Sequence, residues 1–179
     1  MSLKELTAEK HRVAERSNFS KKMISGKMTA EEYSLYLFQM LKVYTVMETM
    51  ANELGLVNSL KKLERTSALK EDLKELVGEN HNLEYLSATY HYVKYLENLK
   101  EDLEVRKKLL AHMYVRYMGD LNGGQFIAKA VPGSGKFYQF EDKDRLVKQF
   151  SYYLKDDLAD EANVAFDWNI KILHSLNHV

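Results

Sequence analysis

The stretch "TAEEYSLYLFQMLKVYTVMETMANELG", residues 29–55, decides the fold class. Thr29 and Glu32 make a capping box, the pattern in which a side chain and a backbone amide satisfy each other at the start of a helix. Tyr33, Leu37, Met40, Tyr44, Met47, Ala51 and Leu54 then recur at alternating steps of four and three. That spacing stacks side chains along one face of an α-helix. Gly55 stands where a left-handed residue closes a helix. The reading is one long helix with a face buried along its length.

Working outward, the same period reappears. Ser2 to Lys22 reads as a helix with Leu3, Leu6, Val13 and Ala14 on its apolar stripe, broken at Gly26. Downstream, Leu63 to Val77 ends at Gly78, and a further helix begins near Ser87 with Tyr92, Tyr95 and Leu99. Another follows Asp102 and carries Leu109, Met113, Tyr117 and Leu121. Two last helices are expected at Lys143–Asp157 and Glu161–Leu176. "VPGSGKF" at 131–137 is the one clear loop; its "GSGK" lacks the spacing and the trailing hydroxyl of a phosphate-binding loop. One proline and eight glycines are too few for the turns of a β-protein. The expectation is an all-α fold in a single domain covering 1–179.

Charge and composition narrow the function. The 26 basic and 26 acidic side chains cancel, which argues against a broad nucleic-acid binder, whose affinity comes from neutralising phosphates. No cysteine is present, so disulfides, thiolate metal sites and Cys nucleophiles are excluded. The N-terminus "MSLKELTAEKHRVAE" has no apolar core of a signal peptide, and no run is apolar enough for a membrane span. The expectation is a cytoplasmic monomer without a membrane anchor.

The six histidines set the chemistry that remains. None follows a Glu by three residues, so the helical di-iron motif is absent, and so is His-Glu-x-x-His. Gly-x-Ser-x-Gly is absent as well. His11 flanks the first apolar stripe with Glu15 four residues on, within reach on one helix face. The pair suits either a surface contact or a metal-bound imidazole whose second nitrogen is held by a carboxylate.

The segment "RYMGDLNGGQFIAKA", residues 116–130, raises the sharper question. It places Gly119, Gly123 and Gly124 in a helical context, where each glycine costs about 1 kcal/mol relative to Ala. Gly119 and Gly123 share a face, so something can approach the backbone there: a neighbouring helix or a flat, rigid ligand. Gly123-Gly124 is also where a kink is expected. Arg116, Tyr117 and Asp120 lie within a turn of Gly119, and that polar group points to an ordered hydrogen-bond network beside the glycines.

At these two places the sequence resembles the heme oxygenase family. "AHMYVRYMGDLNGGQ" looks like that family's distal-helix signature, and "HRVAE" is similar to its proximal segment. Weaker similarity runs through "VYTVMETMANE", "TSALKEDLKELVG", "YVKYLENL", "KQF" and "ANVAFDWNI". The resemblance implies a helical bundle with heme sandwiched between a proximal helix and a kinked distal helix. It implies His11 as the axial iron ligand, Glu15 as its partner, and Gly119, Gly123 and Gly124 beneath the macrocycle. Asp120 would hold a water near bound oxygen, with Gly119, Arg116 and Tyr44 assisting and Tyr92, Tyr117 and Asn169 in the same polar network. Lys4, Tyr114 and Lys148 match positions near the heme propionates, and Phe166 matches a pocket wall. The implied reaction opens heme to biliverdin with release of CO and ferrous iron, using O2 and electrons from a ferredoxin or a reductase. Ala8, Tyr152, Val115 and Asn122 depart from the family's usual residues, and the first two, on the propionate side, leave the opened meso carbon undecided. A heme carrier on the same fold and a heme-free helical adaptor are the alternatives.

Overall fold

The long helix forms as its sequence predicts. In a computed structural model that describes residues 1–179, α4 runs Ala30–Glu53. Thr29 Oγ1 accepts from the Glu32 amide at 3.2 Å and Glu32 Oε2 accepts from the Thr29 amide at 2.9 Å. Tyr33, Leu37, Met40, Tyr44, Met47 and Ala51 are all buried, and Leu54 is half-buried. Gly55 closes the helix at φ +66°, and the Leu56 amide returns to the Ala51 carbonyl at 2.8 Å.

The N-terminal segment is not the single helix expected. It forms α1 (Leu3–Leu6), α2 (Ala8–Glu15) and α3 (Asn18–Ile24). The first break falls at Thr7, whose backbone leaves helical angles at φ −110° and ψ 0°, and its hydroxyl donates to the Leu3 carbonyl at 2.9 Å. Ser17 starts the third by accepting from the Ser20 amide at 3.2 Å. The two breaks re-aim the chain, so Leu3 and Ala14 are buried while Val13, expected on the same stripe, is exposed.

The remaining helices are α5 (Thr66–Val77), α6 (Ser87–Asn98), α7 (Val105–Met113), α8 (Gly119–Ala130), α9 (Lys143–Ser151) and α10 (Ala159–Leu176). α5 starts three residues later than predicted because Leu63 belongs to a preceding 3-10 turn, Asn58–Leu63. α9 is shorter than predicted, and a 3-10 turn at Asp156–Leu158 separates it from α10. In the 131–137 loop, Gly133 and Gly135 have φ of +81° and +65°. Asp72 on α5 fastens its end by accepting the Lys136 and Phe137 amides at 3.0 and 2.8 Å.

The glycine-bearing helix is entered through an irregular turn. α8 is α-helical through Gly123 and Gly124, and a π-helical turn, Tyr114–Met118, joins α7 to α8. A π turn adds one residue to the hydrogen-bonded ring and rotates the helix beyond it, which is why such turns recur at functional sites. α4 packs on α5 and α6, α10 packs on α2, α6 and α7, and α3 packs on α8. Phe137, Phe150, Leu37 and Met47 are fully buried between these layers, each worth about 1.5–3 kcal/mol relative to exposure. The core thus lies against one side of the π turn and α8, leaving their other side open.

Candidate active site

The glycines divide by the side of α8 they occupy. A Cβ built on Gly119 or on Gly123 meets no atom within 4 Å. A Cβ on Gly124 would lie 2.7 Å from Tyr138 Cδ1. Gly119 and Gly123 therefore present bare backbone to open space, whereas Gly124 is bare because Tyr138 packs on it. Gly124, expected at the ligand face, is turned to the core instead. Phe126 extends the open face one turn further and is 65% exposed.

Beside this backbone stands a polar group assembled from three helices. Tyr44 on α4 donates its hydroxyl proton to Asp120 Oδ2. Asp120 is half-buried, and burial pushes its carboxyl up to about 7; the Tyr44 bond and the Arg116 charge pull the other way without cancelling the rise. Burial first, then the Asp120 charge, keeps the Tyr44 phenol protonated. Arg116 is buried in the π turn and donates from Nη1 to Asn169 Oδ1 on α10 at 3.0 Å. Its Nε and Nη2 have no protein partner, and unpaired buried donors are rare enough to mark a site.

The π turn itself is fastened from below. Tyr117 Oη donates to Glu48 Oε1 at 2.9 Å. The same carboxylate accepts from the Arg65 amide at 2.5 Å, the Thr66 amide at 3.2 Å and the Thr66 hydroxyl at 2.5 Å. One buried acid on α4 thereby joins the N-terminus of α5 to the backbone that carries Arg116. Negative charge at a helix N-terminus is also favourable to the helix dipole.

α2 offers the imidazole. His11 Nε2 lies 3.4 Å from Glu15 Oε1, leaving the other ring nitrogen without a charged partner. Half of the His11 side chain is exposed. Its ring meets Phe166 of α10 edge-on at 5.8 Å. Lys10 secures α2 to α10 through Asp167 Oδ1 at 2.6 Å. Tyr114 is half-buried, its Oη 3.3 Å from Thr7 Oγ1. Lys4 and Lys148 are exposed.

The structure thus brings Tyr44, Arg116, Asp120 and Asn169 into one group and joins His11, Glu15 and Phe166 into another. Tyr92 lies next to Arg116, the guanidinium carbon 5.9 Å from its ring centre. Sequence reading missed Glu48, Arg65, Thr7, His112 and Glu161. Glu48 carried a signal, since it sits four residues after Tyr44 and next to Met47 on the buried face of α4. The others owe their positions to contacts between helices far apart in sequence.

The chain is all-helical, with an imidazole–carboxylate pair on one helix and a bare, polar-flanked backbone on another. The comparisons with known proteins place it more narrowly. The chain matches the heme oxygenase family profile over residues 1–175. It is 30% identical to heme oxygenase 1 of Rattus norvegicus, over 98% of this chain and 70% of that one. It is 28% identical to the heme oxygenase of Porphyra purpurea, over 98% of this chain and 85% of that protein. The chain spans 64% to 70% of the length of its mammalian relatives. Among solved structures, heme oxygenase-1 of the cyanobacterium Synechocystis, in complex with heme, superposes at a TM-score of 0.85 with 26% identity, covering 98% of this chain and 90% of that one. The heme oxygenase of Leptospira interrogans superposes at 0.82 with 29% identity, covering 97% and 98%. This chain belongs to the heme oxygenase family. Conversion of heme to biliverdin is the reaction of that family.

The residues present fit a heme. Bare backbone at Gly119 and Gly123 suits a flat ring, the partly exposed His11 suits an iron, and Lys4 and Lys148 form no ion pair that a propionate would have to break. No helix of the structure is long and apolar enough to cross a membrane.

Proposed function

We propose that this chain opens heme to biliverdin, CO and ferrous iron, with His11 as the iron ligand and Glu15 holding the second imidazole nitrogen. When bound, heme supplies the iron at which O2 is reduced, and its own ring is the part consumed. The observation that carries this reading is the bare backbone at Gly119 and Gly123 beside the Tyr44–Asp120 pair.

Each side chain has a task that its surroundings support. A carboxyl poised near 7 gains and loses a proton at working pH, so Asp120 passes protons through a water without being a strong acid. Tyr44 orients that carboxyl by donating to Oδ2. Arg116, anchored on Asn169, offers its two unpaired nitrogens to water or oxygen beside Asp120. Gly119 and Gly123 exclude side chains from the ligand face, and no imidazole replaces them there. Phe166 fixes the His11 ring angle. Lys4, Tyr114 and Lys148 hold the propionates. Electrons come from a ferredoxin or a reductase, and the protein works as a cytoplasmic monomer.

The test is a single turnover. Purified protein with hemin, O2 and reductant is expected to lose its Soret band and yield biliverdin, whose isomer identifies the opened meso position. Hemin that binds and survives turnover would make the chain a carrier instead. The absence of any Soret shift would leave it a heme-free helical protein.

A further inference from the structure

Of the seven phenylalanines, only Phe126 is exposed, at 65%; the others are buried or half-buried. It belongs neither to the hydrophobic core nor to the apolar side chains packed on it. Around it on the outer surface of α8, Asn122, Gln125 and Lys129 are polar and exposed. A lone exposed apolar side chain is ordinary on a protein surface. Its register on the helix is not.

α8 is α-helical from Gly119 to Ala130, and Phe126 follows Gly123 by three residues and Gly119 by seven. Those steps keep side chains on one face of a helix. Phe126 therefore stands on the bare face, and the backbone runs about 10 Å from Gly119 to it. Helical side chains lean toward the N-terminus, so the ring leans toward Gly123. It does not roof that glycine, since a Cβ built there meets no atom within 4 Å. The ring is a raised edge that ends the bare stretch.

The opposite end is chemically different. Five residues before Gly119, the Tyr114 hydroxyl lies 3.3 Å from Thr7 Oγ1, and the exposed Lys4 is one turn before Thr7. One end thus offers hydroxyls and a cation, the other an uncovered aromatic ring. Heme has the matching asymmetry, with two carboxylates on one edge and methyl and vinyl groups on the edge opposite. A ring lying on Gly119 and Gly123 with its carboxylates toward Tyr114 brings its apolar edge to Phe126. Covering the phenyl ring removes apolar surface from water and adds an aromatic contact. The reversed placement would set carboxylates against the phenyl ring and leave them unpaired.

We propose that Phe126 is a specificity-determining residue: it receives the apolar edge of the bound macrocycle, fixes how the ring is turned in its plane, and so decides which meso carbon lies nearest Asp120. This role rests on the heme oxygenase reading.

Phe126→Ala tests it, because an exposed side chain can be removed without opening the core. The unfolding midpoint of the heme-free variant should hold or rise, as Ala is the better helix former. Its affinity for hemin should fall by about fivefold, the size expected for losing part of an aromatic contact. The decisive measurement is made on unreacted ring. In the ferric cyanide complex, the heme methyl proton shifts report in-plane orientation. Wild type is expected to favour one set strongly, Phe126→Ala to show a second set at comparable intensity, and Phe126→Leu to fall between them. The biliverdin isomers from a single turnover should follow the same ratio. Leu103→Ala, which removes a fully exposed side chain outside α8, should change none of these. A wild-type methyl pattern in Phe126→Ala would overturn the proposal whatever the affinity. So would a second set in Leu103→Ala, or a heme-free Phe126→Ala midpoint lowered by several degrees, which would make the residue structural. Wild-type protein that binds no hemin would instead overturn the heme oxygenase reading on which the proposal rests.

Discussion

Gly123 and Gly124 are neighbours in sequence with opposite surroundings, and replacing each by Ala separates them. Both substitutions gain the same helix propensity, about 1 kcal/mol. At Gly123 nothing opposes that gain, because a Cβ meets no atom within 4 Å. Its midpoint should rise by about 2–4 °C for a chain of this size. At Gly124 the added carbon would lie 2.7 Å from Tyr138 Cδ1, 3.1 Å from its Cβ and 3.2 Å from its Cγ. Tyr138 cannot swing aside cheaply, since its Oη lies 3.2 Å from Tyr36 Oη and its ring centre 4.4 Å from that of Phe137. Overpacking of this kind costs about 1–3 kcal/mol. Because propensity cancels in the comparison, the gap between the two variants is that overpacking cost, a difference of several degrees. Thermal unfolding of both heme-free variants measures it. Hemin titration then adds the second half: Gly123→Ala, the more stable variant, should bind hemin more weakly than wild type because its methyl enters the cleft. Equal midpoints would refute the assignment of the two glycines to opposite sides of α8. Undiminished hemin binding by Gly123→Ala would refute the assignment of the open side to heme.

His11→Ala should abolish the native Soret spectrum of the hemin complex, and added imidazole should restore it; an unchanged spectrum would remove His11 from the iron. Asp120 gives a pH signature. Its folded pKa of about 7 lies above its ordinary value of 3.8, so between those limits the folded state binds more protons than the unfolded one. Stability contributed at this site falls as pH rises across that window and is level above it. The heme-free Asp120→Asn variant should therefore lose stability less steeply than wild type between about pH 4 and about 7, and parallel curves would contradict the shift. Glu48→Ala would strand the Tyr117 hydroxyl and the Arg65 and Thr66 amides, at a cost of about 3 kcal/mol or more. Glu48→Gln should lose less, and a Glu48→Ala variant with the wild-type midpoint would show that the clamp does not hold the π turn.

Much of the helical frame was legible because its signals are local. The capping box at Thr29–Glu32, the stripe from Tyr33 to Ala51 and the stop at Gly55 each need only residues a turn or two apart. The same holds for the bare face at Gly119 and Gly123, which share a face by spacing alone. Where a local signal competed with a distant one, sequence reading went astray. One expected helix is three, broken at Thr7, where the backbone leaves helical angles, and at Ser17, whose hydroxyl caps α3. The π turn at 114–118 had no local signal, because Tyr117 there is tied to Glu48, a residue 69 positions earlier.

The chain by itself determined that this is an all-helical protein with an imidazole–carboxylate pair at His11 and Glu15 and a glycine-rich polar segment at 116–125. Periodicity, capping and turn chemistry act over a few residues, so they are written in sequence order. Only the tertiary structure decided that Gly124 faces Tyr138 while Gly123 faces open space, that Asp120 is drawn toward neutrality with Tyr44 on its carboxylate, and that His112 links Glu161 to Tyr92. These depend on which helix packs where. Burial and hydrogen-bond partnership, which set a proton's place and a carboxyl's pKa, are properties of the assembled core and not of any one segment.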